Sequence, residues 1–166
     1  ILRKAALCYN RYMSTHTPTT VFIAADHGGF AAKQKIVSTL EGEFTIKDLG
    51  APALDPDDDF TPYAQRVAES VVATPGSMGI LLCRSGEGMV MAANKIDGIR
   101  AALAWEEKVA RESRDDNDAN VLALPNDYVS SEELIKIARA WLTTPFSGEA
   151  RHARRIDEIA QLEENN

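Results

Sequence analysis

The sequence predicts an α/β fold in which helices cover both faces of a five-stranded parallel sheet. Short apolar runs alternate along the chain with segments whose apolar residues recur at helical spacing, and this alternation is typical of parallel sheets. The runs are almost uniformly apolar, as expected of strands that are buried on both faces. Because crossovers between parallel strands are right-handed, the predicted arrangement is a doubly wound sandwich of three layers.

Each strand is predicted from an apolar run and each helix from the segment that follows it. The predicted strands occupy residues 21–25, 44–49, 78–83, 99–104 and 120–124. The predicted helices occupy residues 28–40, 63–73, 88–95, 106–114, 131–142 and about 149–163. Gly42 breaks the chain before the second strand, and a loop rich in Pro and Asp precedes the second helix. Ser130 or Ser131, with Glu133 just inside, marks the start of the fifth helix.

Length and composition indicate one globular domain over residues 21–164, preceded by an N-terminal tail over residues 1–20. The chain has 166 residues, of which 45% are hydrophobic and 26% charged, which is ordinary for a globular protein. The first 20 residues carry Arg3, Lys4 and Arg11. For this stretch we favour a loose tail, or a natural start at Met13, over a transit peptide.

Charge and cysteine content narrow the expected partners and the expected compartment. The net charge of −7 argues against a nucleic-acid partner, which needs a basic face, but it does not exclude a small anion. No apolar run approaches the ~20 residues that span a bilayer, so no membrane partner is expected. Cys8 and Cys83 are not expected to form a disulfide, which fits a reducing, cytoplasmic location.

Ligands of doubly wound folds bind beyond the carboxyl ends of the strands. The sequence offers three candidate loops for this position. They are residues 26–29, residues 83–88 and the turn before Asn120. The first two contain glycines, which let a backbone approach a ligand closely.

The first motif is Asp26-His27-Gly28-Gly29, directly after the first strand and at the start of the first helix. Amides at a helix N-terminus attract anions, and His27 could donate a hydrogen bond to a phosphate or carboxylate. The alternative is that Asp26 caps the helix over a plain glycine turn.

The second motif, CRSGEG at residues 83–88, joins the third strand to the next helix. Backbone amides of residues 85–88 can form a nest that stabilises a developing oxyanion. A thiol at this helix N-terminus should ionise more readily than a free one, which would make Cys83 a usable base. The alternative is a buried structural cysteine in a tight turn. The spacing matches neither a dinucleotide fingerprint nor a P-loop.

The third motif, Arg151-His152-x-x-Arg155, opens the last helix. Its two arginines are four residues apart, so one helical face could present both guanidinium groups to a phosphate. The alternative is solvated surface charge balanced by Asp157 and Glu158.

Together and in this order, the motifs resemble those of the type B ribose-5-phosphate isomerases, a family that includes galactose-6-phosphate isomerase subunits. The matching segments are DHGG at 26–29, DFTPYA at 59–64, GILLCxSGxG at 79–88, AANK at 92–95, GIRA at 98–101, NDxNVLA at 117–123 and RHxxRI at 151–156. The resemblance covers about residues 20–164.

The resemblance implies a flavodoxin-like or Rossmann-like sandwich that forms a homodimer, with each active site completed by the neighbouring subunit. It implies reversible aldose–ketose conversion of a sugar phosphate through a cis-enediolate, without metal or organic cofactor. Cys83 would move the proton between C1 and C2, and Ser85 would help to handle the sugar hydroxyls. The other implied roles are enediolate stabilisation by the amides of Gly86, Glu87 and Gly88 with the partner subunit's Asn117, hydroxyl binding by Asp26, and phosphate binding by His27, Arg151 and Arg155.

The sequence departs from the family pattern at several positions. Asp116 stands where the family has a His believed to open the furanose ring, and an Asp is a poorer proton donor at neutral pH unless its pKa is raised. Residues 125–127 lack a phosphate-binding Arg that many members carry. Two expectations are open for Arg84: it replaces that charge, or it pairs with a neighbouring acid. Glu87 is a rival base to Cys83. A second branch uses Glu at the position of Met89, so this chain resembles the cysteine type.

These departures leave the sugar open among phosphorylated aldoses and ketoses, including a tetrose phosphate that cannot close a furanose ring. They also leave a second hypothesis open. Asp116 and Asp127 would equally suit a non-catalytic sugar-phosphate sensor or an inactive partner subunit.

Overall fold

The computed structural model describes residues 20–164 and confirms the predicted α/β fold class. The predicted N-terminal tail lies outside the described residues, apart from Thr20. The strands are β1 (Val21–Ala25), β2 (Ile46–Asp48), β3 (Met78–Cys83), β4 (Ala101–Leu103) and β5 (Val121–Pro125). The helices are α1 (Phe30–Leu40), α2 (Phe60–Ala73), α3 (Glu87–Ala93), α4 (Glu107–Asp115), α5 (Ser131–Thr143) and α6 (Ala150–Glu164). None of these helices combines the length and apolarity that crossing a membrane would require.

The five strands are parallel and lie in the order β2-β1-β3-β5-β4. From β1 the chain moves to one side to form β2 and to the other side to form β3, so the β1–β3 boundary is the switch point where such folds bind ligands. The register pairs Ala25 with Leu82 and Cys83 with Pro125. Asp26 and Cys83 therefore stand side by side at the carboxyl edge of the sheet.

Helices cover both faces of the sheet and bury an apolar layer on each. On one face Ile36 of α1 and Trp141 of α5 pack with the sheet residue Leu122. On the other face Val67 of α2 and Met89 of α3 pack with Leu81 and its neighbours. Strands β1, β3 and β5 are buried along their whole length, as their uniformly apolar sequences predict.

Several element boundaries differ from the prediction for physical reasons. Helix α2 begins at Phe60, ahead of the predicted residue 63. The helix can include Pro62 because this residue lies in the first turn, where a missing N–H costs no helical hydrogen bond. Strands β2 and β4 are only three residues long because each lies at an edge of the sheet, where short strands limit exposed pairing groups. Ser130 is the predicted cap, and its Oγ accepts the Glu133 N–H at 3.3 Å.

Lys33 is a fully buried lysine that ties α1 to the end of β2 and to the loop that follows it. Its Nζ lies 2.7 Å from both carboxylate oxygens of Asp48 and donates to the Ala51 carbonyl at 2.8 Å. A buried charge persists only where it is paired and hydrogen-bonded. This anchor fixes the start of the loop that leads from β2 to α2.

We expect Lys33→Met to lower the free energy of unfolding by about 3 kcal/mol, because removing one partner of a buried pair leaves the other charge uncompensated. Asp48 keeps 34% of its side chain exposed, so water relieves part of the cost. Urea denaturation measures the change. Lys35→Met, on the exposed side of the same helix, is the matched control and should change stability by less than ~0.5 kcal/mol. Equal losses in the two variants would contradict the anchoring role.

Candidate active site

The loop after β1 places Asp26 at the centre of the carboxyl edge. Its backbone N–H donates to the Leu82 carbonyl at 3.3 Å, and its Oδ1 accepts the Gly29 N–H at 3.2 Å. Gly29, not Asp26, is the N-cap residue of α1, so Asp26 supports the helix start from three residues upstream. Burial raises the pKa of Asp26, although the Gly29 hydrogen bond and the His27 ring act in the opposite direction.

The loop after β3 gathers backbone amides around the thiol of Cys83. The Gly86 N–H donates to the buried Sγ at 3.0 Å, and the amides of Met89 and Ser85 also favour its charged form. Gly86 has a φ of +80°, a conformation open to glycine but strained for other residues. This turn brings the chain back so that its amides point at the sulfur.

The expectation that this thiol ionises more readily than a free one is wrong, because the pKa of Cys83 is raised. Burial raises the pKa of the Cys83 thiol, and the charge of the adjacent Asp26 raises it further. The amide hydrogen bonds act against both effects without cancelling them. Of the predicted amides of residues 85–88, those of Ser85 and Gly86 act on the sulfur, together with that of Met89. Cys83 is only 6% exposed, and its burial disfavours the thiolate more than these amides favour it.

Asp58 is the site residue that sequence reasoning missed. Its Oδ1 accepts two hydrogen bonds from His27, one from the backbone N–H at 2.9 Å and one at Nδ1, 2.8 Å away. Burial raises the pKa of Asp58, but these bonds and the Tyr63 hydroxyl more than offset it, so the net pKa is lowered. The only sequence signal was an Asp-rich loop 31 residues from its partner.

The turn after β5 closes this edge from a third side. Asn126 Nδ2 donates to the Gly28 carbonyl at 2.8 Å, a contact the sequence did not suggest. Arg84 pairs with Asp127 through a 2.8 Å hydrogen bond, so of the two expectations for Arg84 the structure supports pairing with an acid. Glu87 is exposed in the first turn of α3.

Two predicted residues of the nest have modest local roles. The Ser85 Oγ accepts the Glu87 N–H at 3.4 Å. A Cβ on Gly88 would lie 2.9 Å from the ring of Phe60, so this glycine permits α2 to pack closely against the nest. Ser85, Gly86 and Gly88 therefore lie in the same loop as Cys83, as predicted.

The turn before Asn120 is not at the carboxyl edge, and that prediction is wrong. The turn precedes β5, and the Asn120 carbonyl accepts the N–H of Gly79 near the start of β3. Asp116 and Asn117 lie in this turn, directly after α4. They are therefore at the amino edge, at the opposite end of the sheet from Cys83.

The start of α6 lies at the same amino edge. The Ser147 N–H donates to the Asp115 carbonyl at 3.1 Å, and the buried His152 has its Nδ1 2.9 Å from Ser147 Oγ and 3.6 Å from Asp116 Oδ1. Arg151 and Arg155 are exposed, and Arg151 pairs with Glu149 at 2.8 Å.

The turn at this amino edge is rigidly held. Asp118 has a φ of +46°, and its carboxylate lies 2.9 Å from Arg100 and 2.7 Å from Arg114. Two arginines therefore fix the backbone that presents Asp116 and Asn117.

The predicted site residues thus form two groups. The carboxyl-edge group contains Asp26, His27, Cys83, Ser85, Gly86, Glu87 and Gly88. The amino-edge group contains Asp116, Asn117, Arg151 and Arg155. Over residues 20–164 the length of the sheet separates the two groups, which lie at opposite ends of its strands.

Comparison with known proteins gives a consistent result. The family model described as Ribose/Galactose Isomerase matches residues 21–159. A probable ribose-5-phosphate isomerase B of Mycoplasma pneumoniae is 42% identical over 86% of this chain and 94% of its own. Ribose-5-phosphate isomerase B of Mycobacterium tuberculosis is 41% identical over 86% of this chain and 89% of its own.

Among solved structures, ribose-5-phosphate isomerase B from Mycoplasma genitalium, which contains bound ribulose-5-phosphate, superposes with a TM-score of 0.86 at 38% identity. The match covers 91% of this chain and 100% of that one. A type B ribose 5-phosphate isomerase from Trypanosoma cruzi gives a TM-score of 0.84 at 37% identity, covering 89% and 99%. The resemblance noted in the motifs is confirmed over nearly the whole described fold, and this chain belongs to the ribose/galactose isomerase family of enzymes.

Proposed function

We propose that this enzyme interconverts an aldose phosphate and a ketose phosphate by moving a proton between two adjacent carbons, with Cys83 as the base. The observation that carries the proposal is the Cys83 Sγ held by the Gly86 amide at 3.0 Å, beside Asp26 at the β1–β3 switch point. Proton abstraction next to a carbonyl needs one positioned base and donors aimed at the oxygen that becomes negative.

The proposed reaction passes through a cis-enediolate intermediate. The Cys83 thiolate takes the proton from the hydroxyl-bearing carbon next to the carbonyl. The C–H electron pair forms a C=C bond between the two carbons, and the C=O π pair moves to oxygen to give the oxyanion. The proton of the neighbouring hydroxyl then passes to this oxyanion, the carbonyl re-forms on the neighbouring carbon, and the thiol returns its proton to the former carbonyl carbon. Once the sulfur has gained a proton it accepts hydrogen bonds only weakly. The amides of residues 86–88 can then donate to the oxyanion instead.

Substrate positioning falls to the groups around the thiol. Asp26 is buried beside Cys83 and would accept hydrogen bonds from sugar hydroxyls, with help from Ser85. His27 is 35% exposed and would bind the phosphate. Phosphate contacts far from the reacting carbons supply orientation. No step of this scheme calls on a metal or an organic cofactor.

The second half of the site would come from a partner subunit. The six residues of β3 place the two edges about 20 Å apart, which is longer than a five-carbon sugar phosphate. A homodimer that sets the amino edge of one subunit over the carboxyl edge of the other would bring the partner's Asn117, Arg151 and Arg155 to Cys83. Exposed apolar residues support such an interface: Phe60, Met91, Ile159 and Leu162.

The relatives support ribose 5-phosphate and ribulose 5-phosphate as the substrate pair. One solved relative contains ribulose-5-phosphate. Asp116 would stand where a proton donor for furanose opening is expected, and it lies beside His152. A tetrose phosphate, which needs no ring opening, therefore belongs in any substrate panel.

Cys83→Ala should reduce turnover by ~10²–10⁴-fold, because it removes the base. The measurement is solvent deuterium incorporation next to the carbonyl, with a panel of tetrose, pentose and hexose phosphates. Cys8→Ala is the matched control and should retain wild-type exchange. A wild-type protein that binds a sugar phosphate without any exchange would indicate a non-catalytic sensor and contradict the proposal.

The raised pKa of Cys83 predicts that activity increases with pH. Only the thiolate is a base, and burial shifts its formation to higher pH than for a free thiol. Iodoacetamide labelling of Cys83 in a Cys8→Ser variant should reach half its maximal rate at a higher pH than N-acetylcysteine. The rising limb of kcat/KM should follow the same ionisation. If the labelling rate of Cys83 is half-maximal at a lower pH than that of N-acetylcysteine, this prediction is contradicted.

Mixing two inactive variants tests the shared site. Cys83→Ala and Arg155→Ala damage opposite edges, so each mixed dimer regains one intact site of two, and random mixing should restore about a quarter of wild-type activity. Cys83→Ala mixed with Asp26→Ala damages the same edge twice and should restore nothing. Mass spectrometry shows whether mixed dimers have formed. If they have, and the activity of the first mixture does not exceed the summed activities of its two variants, the shared site is rejected.

A further inference from the structure

The Asp58–His27 contact is unusual in its geometry. One oxygen, Asp58 Oδ1, accepts both the backbone N–H of His27 at 2.9 Å and its ring nitrogen Nδ1 at 2.8 Å. The Asp58 side chain is 8% exposed, whereas that of His27 is 35% exposed. The carboxylate is therefore held inside the fold while the ring reaches the surface of the site.

This contact determines which ring nitrogen carries hydrogen. An ionised carboxylate only accepts hydrogen bonds, so Nδ1 must be the protonated nitrogen. Among the described residues Nε2 has no hydrogen-bond partner. In a neutral ring held in this way Nε2 would be an acceptor, which would repel a phosphate, and only the cationic ring presents Nε2–H as a donor.

We propose that Asp58 is a positioning residue that holds His27 as a cation with Nε2–H free to donate to an anionic substrate group. The inference rests on the proposed function, which assigns the substrate phosphate to His27. Asp58 contacts no reacting atom in this scheme. It acts only through the orientation, tautomer and charge of the imidazole.

The surroundings of His27 favour the cation. The hydrogen bond that the His27 ring donates to Asp58 raises the pKa of His27, and the negative charge of Asp26 raises it further. The Tyr63 hydroxyl from α2 helps to keep Asp58 ionised. Arg84, a cation on the neighbouring loop, is itself paired with Asp127.

The tautomer can be measured directly without any variant. Long-range ¹H–¹⁵N correlation spectra of the wild-type protein separate the imidazoles of His16, His27 and His152, and His27→Gln assigns one of them. We expect His27 to be cationic at neutral pH and, on deprotonation, to keep its hydrogen on Nδ1. A neutral ring with hydrogen on Nε2 would overturn the proposal.

Asp58→Asn then tests the charge, and Asp57→Asn is the matched control, since it makes the same charge change at an exposed neighbouring position. In Asp58→Asn the pKa of His27 should fall toward that of an unpaired histidine. If the pKa of His27 is equally raised in the wild type, in Asp58→Asn and in Asp57→Asn, the proposal is overturned.

Kinetics separate positioning from a merely structural effect. KM for the sugar phosphate should rise roughly tenfold in Asp58→Asn, the loss expected for a charge-assisted hydrogen bond, while kcat changes little. The ratio of variant to wild-type KM should be largest between the two His27 pKa values and shrink at lower pH, where both rings are cationic. In a His27→Gln background Asp58→Asn should have no further effect on KM. Equal losses with and without His27 would overturn the proposal.

Failure of the inference and failure of the proposed function have different signatures. Inorganic phosphate is the probe in a parallel titration of the free enzyme, and its affinity should fall in Asp58→Asn but not in Asp57→Asn. An absence of proton exchange with every sugar phosphate would reject the isomerase while leaving this anion contact intact. Unchanged phosphate affinity in Asp58→Asn would reject the inference whatever the activity.

Discussion

The pairing of β1 with β3 decides which chemistry this chain can support. In that register Ala25 lies opposite Leu82, so the next residues, Asp26 and Cys83, emerge together at the same edge. Neither side chain could be moved without sliding a strand that is buried on both faces, and such a slide would misplace every core residue on it. The site is therefore as rigid as the middle of the sheet.

That rigidity has an electrostatic consequence. Because the sheet buries both groups, burial raises the pKa of the Asp26 carboxyl and of the Cys83 thiol, and the Asp26 charge adds to the shift of the thiol. The Gly86 amide compensates in part by donating to the sulfur. A thiol that is hard to ionise is a strong base once ionised, so in the proposed reaction the amides and the substrate would together favour the thiolate. In the proposed reaction the same amides would later donate to the enediolate oxygen, so they would have to serve two different charged states.

The parts of the structure that the sequence predicts best are those with local causes. The uniformly apolar segments of β1 and β3 have the predicted bounds, because burial on both faces leaves no alternative pattern. The loops that follow them were identified from adjacent glycines and polar residues. Contacts between distant segments had no such signal: Asp58 with His27, Lys33 with Asp48, and Asn126 with Gly28, the last pair 98 residues apart. The ionisation of Cys83 was misjudged because a sequence displays the helix start but not the depth of burial.

Helix α6 buries few of its side chains against its own chain. Of its 15 residues only His152 and Ile156 are buried, and Ile159 and Leu162 remain exposed. Its first turn is nevertheless fixed by His152 to the rigid turn that presents Asp116. A helix with two buried side chains and with Ile159 and Leu162 exposed suits a subunit contact, in which covering those apolar side chains stabilises the pair. In the proposed homodimer the same contact would carry Arg151 and Arg155 to the partner's His27, so subunit association and phosphate binding would depend on one surface.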